Sequence, residues 1–244
     1  TMLWMDPGKP EVQKQLLDVI NDLVKRYDID GVHFDDYFYP YPVKGEPFPD
    51  DKTYAEYVSN GGALKLNDWR RENVNSMVKA VHDTVKSIKP WVKFGISPFG
   101  IWRPGYPEKI KGLDSYEALY ADSKKWLEEG WLDYIAPQLY WKILAPEQSY
   151  PRLLQWWIEQ NKLNRHIYAG NFTSKGWPVT EIIDQVKLTR EEKAQGNIHF
   201  SMKTLLENTG GMADVLLRDC YYQPAIVPAM TWIDSVLPQE PINV

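Results

Sequence analysis

The stretch DGVHFDDYFYPYP, residues 30–42, decides how the rest of the chain is read. A short apolar run ends there in two adjacent aspartates, followed by tyrosines and prolines. In an extended strand successive side chains point to opposite faces. Val32 and Phe34 therefore share one face, suited to packing against helices, while His33 and Asp35 share the other and Asp36 sits at the rim. Asp30 lies at the opposite end of the strand and reads as a structural cap. Two neighbouring carboxylates repel, which raises the pKa of at least one and lets an acid keep its proton near neutrality. Asp35 and Asp36 are thus candidates for proton transfer; the competing reading is an ion pair with an Arg or Lys.

Working outward, residues 10–27 carry a helical spacing of apolar side chains (Val12, Leu16, Val19, Ile20, Leu23, Val24), with Pro10 in the first turn. Strands are predicted at 30–36, 91–97, 132–140, 166–172 and 197–203, and helices at 66–88, 115–129, 150–161, 179–194 and 212–220. Such alternation implies parallel strands with helices outside. No Gly-rich phosphate loop follows a strand, so a nucleotide-binding sheet is disfavoured and no cofactor is expected. Connections after strands are long and aromatic, whereas those leading into strands are short (DID, KP, GW, NR, QG). That asymmetry belongs to a β/α barrel with its site at the carboxyl ends of the strands. Only five strands are convincing, with at most a short extended piece at Leu3–Met5. The expectation is one α/β domain over residues 1–244, a (β/α)8 TIM-type barrel that is incomplete and holds roughly strands 4 to 8 of the eight. Its first strands would come from an upstream segment, and its open edge would call for association with that segment or self-association.

Composition narrows the function. With 244 residues, 43% hydrophobic and 25% charged, the chain can bury a full core. A net charge of -5 without any Lys/Arg block argues against a nucleic-acid partner. Cys220 is the single cysteine, so no internal disulfide forms and the redox compartment is undecided. No run approaches the roughly 18 apolar residues of a membrane span, and Thr1-Met2-Leu3 does not open a signal peptide. The 11 Trp and 15 Tyr exceed what a core needs, and their flat faces with polar edges suit stacking on sugars. The four histidines show no HxH or HExxH spacing, so no metal site is expected.

The remaining strand ends supply candidate binding groups. Alternation turns Gly95, Ser97, Gln138, Tyr140, Ser201 and Lys203 inward. Gln138, Tyr140 and Asn171 would hydrogen-bond a hydroxyl or acetamide, and Lys203 would pair with Asp35 or a substrate acid; satisfied interior hydrogen bonds explain each equally well. Trp102, Arg103 and Trp141 lie just beyond strand ends, where rings can floor a sugar subsite, and His33, Tyr37 and Tyr39 flank the two acids. Trp156 and Trp157, on a helical stripe, read as core.

The segment DPGKPEVQKQLLDVINDLVKRYDIDGVHFDDYFYPYP, followed in order by KFGISPFGIWR, DYIAPQLYW, YAGNF, HFSMK and PAIVPAM, resembles the glycosyl-hydrolase-like family 10 of bacterial exported proteins. That TIM-barrel group includes peptidoglycan-directed glycosidases. The resemblance implies that HFDDYFYPYP is on the fourth strand and that Asp35 and Asp36 are the first candidates for hydrolysing a glycosidic bond. It also implies a polysaccharide partner, such as an N-acetylhexosamine-containing glycan, and a periplasmic or cell-surface location. A weaker likeness runs to chitinase-like families, which carry DGxDxDxE and then YP on the same strand. Asp30, Gly31 and Asp35 match, but His33 stands for one Asp and Tyr37 for the acid Glu. Substrate-assisted hydrolysis stays open, while a two-carboxylate mechanism needs a second acid from a loop (Glu46, Asp50 or Glu147) or from the absent strands. A barrel that binds glycan without cleaving it, and an interaction scaffold with a flat aromatic patch, are the alternatives.

Overall fold

The computed structural model describes residues 3–234 and 236; Thr1, Met2 and the end of the expected 1–244 span lie outside the described residues. In chain order the elements are α1 (Pro10–Arg26), β1 (Gly31–Phe34), α2 (Asp51–Ser59), α3 (Leu66–Ile88), β2 (Lys93–Ile96), α4 (Ser115–Ala118), α5 (Ser123–Glu128), β3 (Tyr134–Ile135), α6 (Tyr150–Gln160), β4 (His166–Asn171), α7 (Val179–Glu191), β5 (Gly196–His199), α8 (Met202–Leu206) and α9 (Met212–Asp219). The five strands form one parallel sheet in the order β1-β2-β3-β4-β5. Sequential parallel strands joined through helices are an open, incomplete TIM-type barrel, as the strand count anticipates.

The helices are built for one-sided burial. In α1, Pro10 presets the first turn, Glu11 and the Lys25–Arg26 pair complement the helix dipole, and Ile20 and Val24 are buried. In α3, Val74, Val78, Val81 and Val85 recur at helical spacing and are all fully buried. They meet the outward face of the sheet, where Phe94, Ile96, Ile135 and Ile167 are buried in the same cluster. Trp156 and Trp157 join it as expected. A smaller cluster of Ile182, Ile183, Val186, Met212 and Leu216 packs α7 against α9. Among the described residues no helix is long and apolar enough to cross a membrane.

Several boundaries differ from the sequence reading. The 37–65 connection contains α2, whose short, polar sequence carries little apolar periodicity. The helix expected at 115–129 is two, because Tyr120 between them adopts a left-handed backbone (φ 55) while its hydroxyl accepts a 2.6 Å bond from Arg70 Nη1. The last strand stops at His199, and Lys203 is on α8. Leu3–Met5 forms no strand.

One buried side chain ties the amino end of β2 to the start of β3, to α3 and to the segment after α9. Asp133 accepts bonds from the Phe94 N–H at 2.7 Å and Trp232 Nε1 at 3.0 Å, and it pairs with Lys86 Nζ at 2.5 Å. Trp232 brings the segment after α9 back under the sheet, where His166 Nε2 lies 3.1 Å from the Ala229 carbonyl.

Candidate functional site

The carboxyl end of β1 carries the two acids in different surroundings. Asp35 is solvent-facing on the inner side of the sheet. Its Oδ1 accepts bonds from the Asp36 N–H at 2.9 Å and from Gln138 Nε2 at 2.8 Å. Gln138 also bonds the Ser97 carbonyl at 2.9 Å, so the amide is fixed between two strand ends. Although β3 is only two residues long, bridges from Gln138 to Phe99 and Gly170 keep it in line with the sheet.

Asp36 is 4% exposed and accepts a hydrogen bond from the Tyr41 hydroxyl. Burial pushes its pKa up, and the charge of Asp35 adds to this against the opposing effect of Tyr41. Neither acid has a salt-bridge partner among the described residues. Tyr140 stands close by: burial first, then the charges of Asp35 and Asp36, hold its hydroxyl well above the usual range. Its ring packs on Phe172 and Phe200 at centroid distances of 4.9 and 5.9 Å, and Phe200 is exposed.

His33 is held from two strands away. Its Nδ1 lies 2.8 Å from Tyr134 Oη, and the two rings stack at 5.7 Å. Tyr134 reaches across β2 because residue 95 is glycine: a Cβ there would sit 2.2 Å from the Tyr134 ring. Desolvation lowers the His33 pKa, against the pull of Asp35. A neutral ring that accepts from Tyr134 at Nδ1 carries its hydrogen on Nε2.

The structure separates the other predicted site residues into those near the acids and those spent elsewhere. Tyr37, 59% exposed, directly follows Asp36. The Tyr39 ring is instead core, edge-on to Phe48 and Tyr120 at 5.0 and 4.9 Å. Ser97 donates to the Ala136 carbonyl at 2.9 Å. Asn171 faces the helices rather than the interior: its Nδ2 bonds Tyr150 Oη and Gln185 Oε1, and its Oδ1 accepts from Asn197. The physical reason is strand phase, since Asn171 shares its face with the buried Ile167 and Ala169. Trp102 is stacked 5.9 Å from Trp156 with its Nε1 on Asp122, and Arg103 pairs with Asp114 and Glu117. Trp141 packs edge-on against Phe99 at 5.6 Å. Lys203 does not approach Asp35 from a strand end; α8 carries it outward, 78% exposed, 3.9 Å from Glu207. Of the loop acids, Asp50 is fully buried in a bidentate pair with Arg70, and Glu147 pairs with Lys111.

Tyr41, Tyr134, Phe172 and Phe200 escaped the sequence reading. Tyr134 had a signal, namely its inward phase opposite a strand glycine, which marks close approach. Tyr41 lies in a proline-punctuated loop, where no periodicity says which ring turns back. Among the described residues no three His, Cys, Asp or Glu side chains gather as a metal site would require.

A family model described as glycosyl hydrolase-like 10 matches residues 1–185. The protein named glycosyl hydrolase YngK of Bacillus subtilis (strain 168) is 42% identical over 255 residues, 98% of this chain and 50% of that protein. Glycosyl hydrolase DigH of Escherichia coli (strain K12) is 42% identical over 172 residues, 68% of this chain and 38% of its own length. The chain thus spans half or less of the length of these curated relatives. Among solved structures, bee venom hyaluronidase in complex with a hyaluronic acid tetramer superposes with a TM-score of 0.53 at 11% identity, covering 87% of this chain and 76% of that one. At that identity the likeness is one of fold, and the fold is that of the barrel.

Proposed function

The chain belongs to the glycosyl hydrolase-like 10 family, and on that premise we propose that it hydrolyses a glycosidic bond in a polysaccharide through Asp35 and Asp36. Cleavage of such a bond needs a proton for the leaving oxygen and stabilisation of the positive charge that develops at the anomeric carbon. The observation that carries the reading is the asymmetry of the two acids. Asp36 is buried with no cation beside it among the described residues and resists ionisation, which suits a proton donor. Asp35 faces the opening with Oδ1 fixed by two hydrogen bonds, which leaves Oδ2 for the sugar or for an N-acetyl group acting as internal nucleophile. His33 Nε2, Gln138 and Tyr140 orient the substrate, with Phe200 as an exposed ring for stacking. Family membership also supports an N-acetylhexosamine-containing glycan, such as peptidoglycan, and a site of action outside the cytoplasm.

The test incubates the full-length protein with a glycan panel that includes peptide-free peptidoglycan strands and reads products by mass spectrometry. Asp35→Asn and Asp36→Asn should each lower cleavage by at least about a hundredfold, the scale of a lost acid or base. Binding of glycan without cleavage, in the parent as in both variants, would instead make the protein a glycan-binding barrel.

A further inference from the structure

Beside the two acids lies a cleft of about 1290 Å³, bounded by the segment before α1, the 37–49 loop and the flank of α3. Its volume exceeds the roughly 300–1,000 Å³ of sites that hold one small ligand. The cleft adjoins the acids through two of its lining rings: Tyr37 follows Asp36 in sequence, and Tyr41 donates to the Asp36 carboxylate. We infer that this cleft holds further sugar residues of the same glycan chain, on one side of the bond to be cleaved, so that the protein acts within long chains rather than on their shortest ends. The inference rests on the glycosidase reading and adds to it the length of substrate recognised.

Two features fit a sugar chain. Trp4, Tyr37 and Tyr41 stand in succession with centroids 6.2 Å apart at each step, and Tyr37 and Tyr41 are exposed. They form an aromatic wall on which pyranose faces can stack. The charges around the cleft balance: Lys9 and Lys52 face Asp6 and Glu46, while Arg70 is committed to Asp50. That balance suits uncharged or sparsely charged sugars rather than a polyanion.

Length ladders of chito-oligosaccharides and of peptide-free peptidoglycan strands, with a hyaluronate ladder as the polyanionic comparison, would be offered to the full-length protein. Cleavage rates and binding, the latter by tryptophan fluorescence, are read separately. The expected result is a kcat/KM that rises at least about tenfold from the shortest cleaved oligomer to the hexamer, as remote binding contributes to the reaction. Trp4→Ala should abolish most of that gain, and Trp4→Phe, which keeps a ring, should retain it. Cleavage with no length gain, or a gain untouched in Trp4→Ala and Tyr37→Ala, would overturn the cleft assignment and leave the glycosidase reading standing. An equal gain on hyaluronate would overturn the preference for sparsely charged sugars. Length-dependent binding lost in Trp4→Ala, with no cleavage of any ladder, would uphold the cleft and remove the hydrolase. Absence of both binding and cleavage would overturn both.

Discussion

Two buried aspartates sit at opposite ends of the same sheet and have been given opposite company. Asp133, at the amino end, is 1% exposed and meets an ammonium, a backbone N–H and an indole N–H. Asp36, at the carboxyl end, is nearly as buried but meets one tyrosine hydroxyl and another carboxylate. A buried charge is tolerated when its partners replace the water it lost. Asp133 satisfies that condition and ties β2 to α3 and to Trp232; Asp36 does not, and burial raises its pKa. Burial alone therefore does not distinguish the structural Asp133 from the proposed proton donor Asp36, whereas the set of partners does.

The largest expected effect lies at the amino end. Asp133→Ala should cost about 3–5 kcal/mol in urea unfolding, because it strands Lys86 and two N–H donors. Asp36→Asn should cost almost nothing in the same assay. The sign follows from its raised pKa: the Asp36 contribution to stability is fully present below the unfolded carboxylate pKa and is lost as pH rises through the folded value. The asparagine variant removes that loss, so its stability should fall less than the parent's between acid and neutral pH. Equal destabilisation by both substitutions would erase the contrast.

Smaller effects sharpen the carboxyl end. Gln138→Leu deprives Asp35 of one of its two bonds and should lower kcat/KM by about tenfold, the worth of one hydrogen bond to a charged group; an unchanged value would remove Gln138 from the site. Tyr41→Phe deletes a bond that favours the ionised form of Asp36, so the alkaline limb of the kcat/KM profile should move to higher pH. The mildest case is His199, on neither end's acid, whose pKa burial lowers to about 4. Its neutral form contributes stability above the unfolded histidine pKa, and that contribution fades as pH falls through the mid-range toward about 4. His199→Gln should flatten this acid-side decline in thermal unfolding.

The sheet was legible because strands and helices alternate in apolar period, and the position of β1 with its acids followed from DGVHFDDYFYPYP alone. Phase was less secure. Asn171, expected to bond a hydroxyl or acetamide, follows Ile167 by four residues and Ala169 by two, and these are the apolar set that must face the helices. The error at Lys203 came from extending a strand past His199 into a segment whose backbone turns into α8. Trp102 and Arg103 lie beyond a strand end, but no period in the sequence marks their partners, Trp156 and Asp122 for the first and Asp114 and Glu117 for the second. Loop rings such as Tyr41 obey no period, so their direction is settled only by the folded backbone.

The crossing of Tyr134 over Gly95 to His33 also constrains how such sequences can diverge. Position 95 has no room for even a methyl group while position 134 is an aromatic ring. A lineage that placed alanine at 95 would have to shrink 134 in the same step or soon after, and would thereby release the histidine beside the acids. The glycine should therefore persist wherever an aromatic ring stands at 134, a dependence that spans two strands.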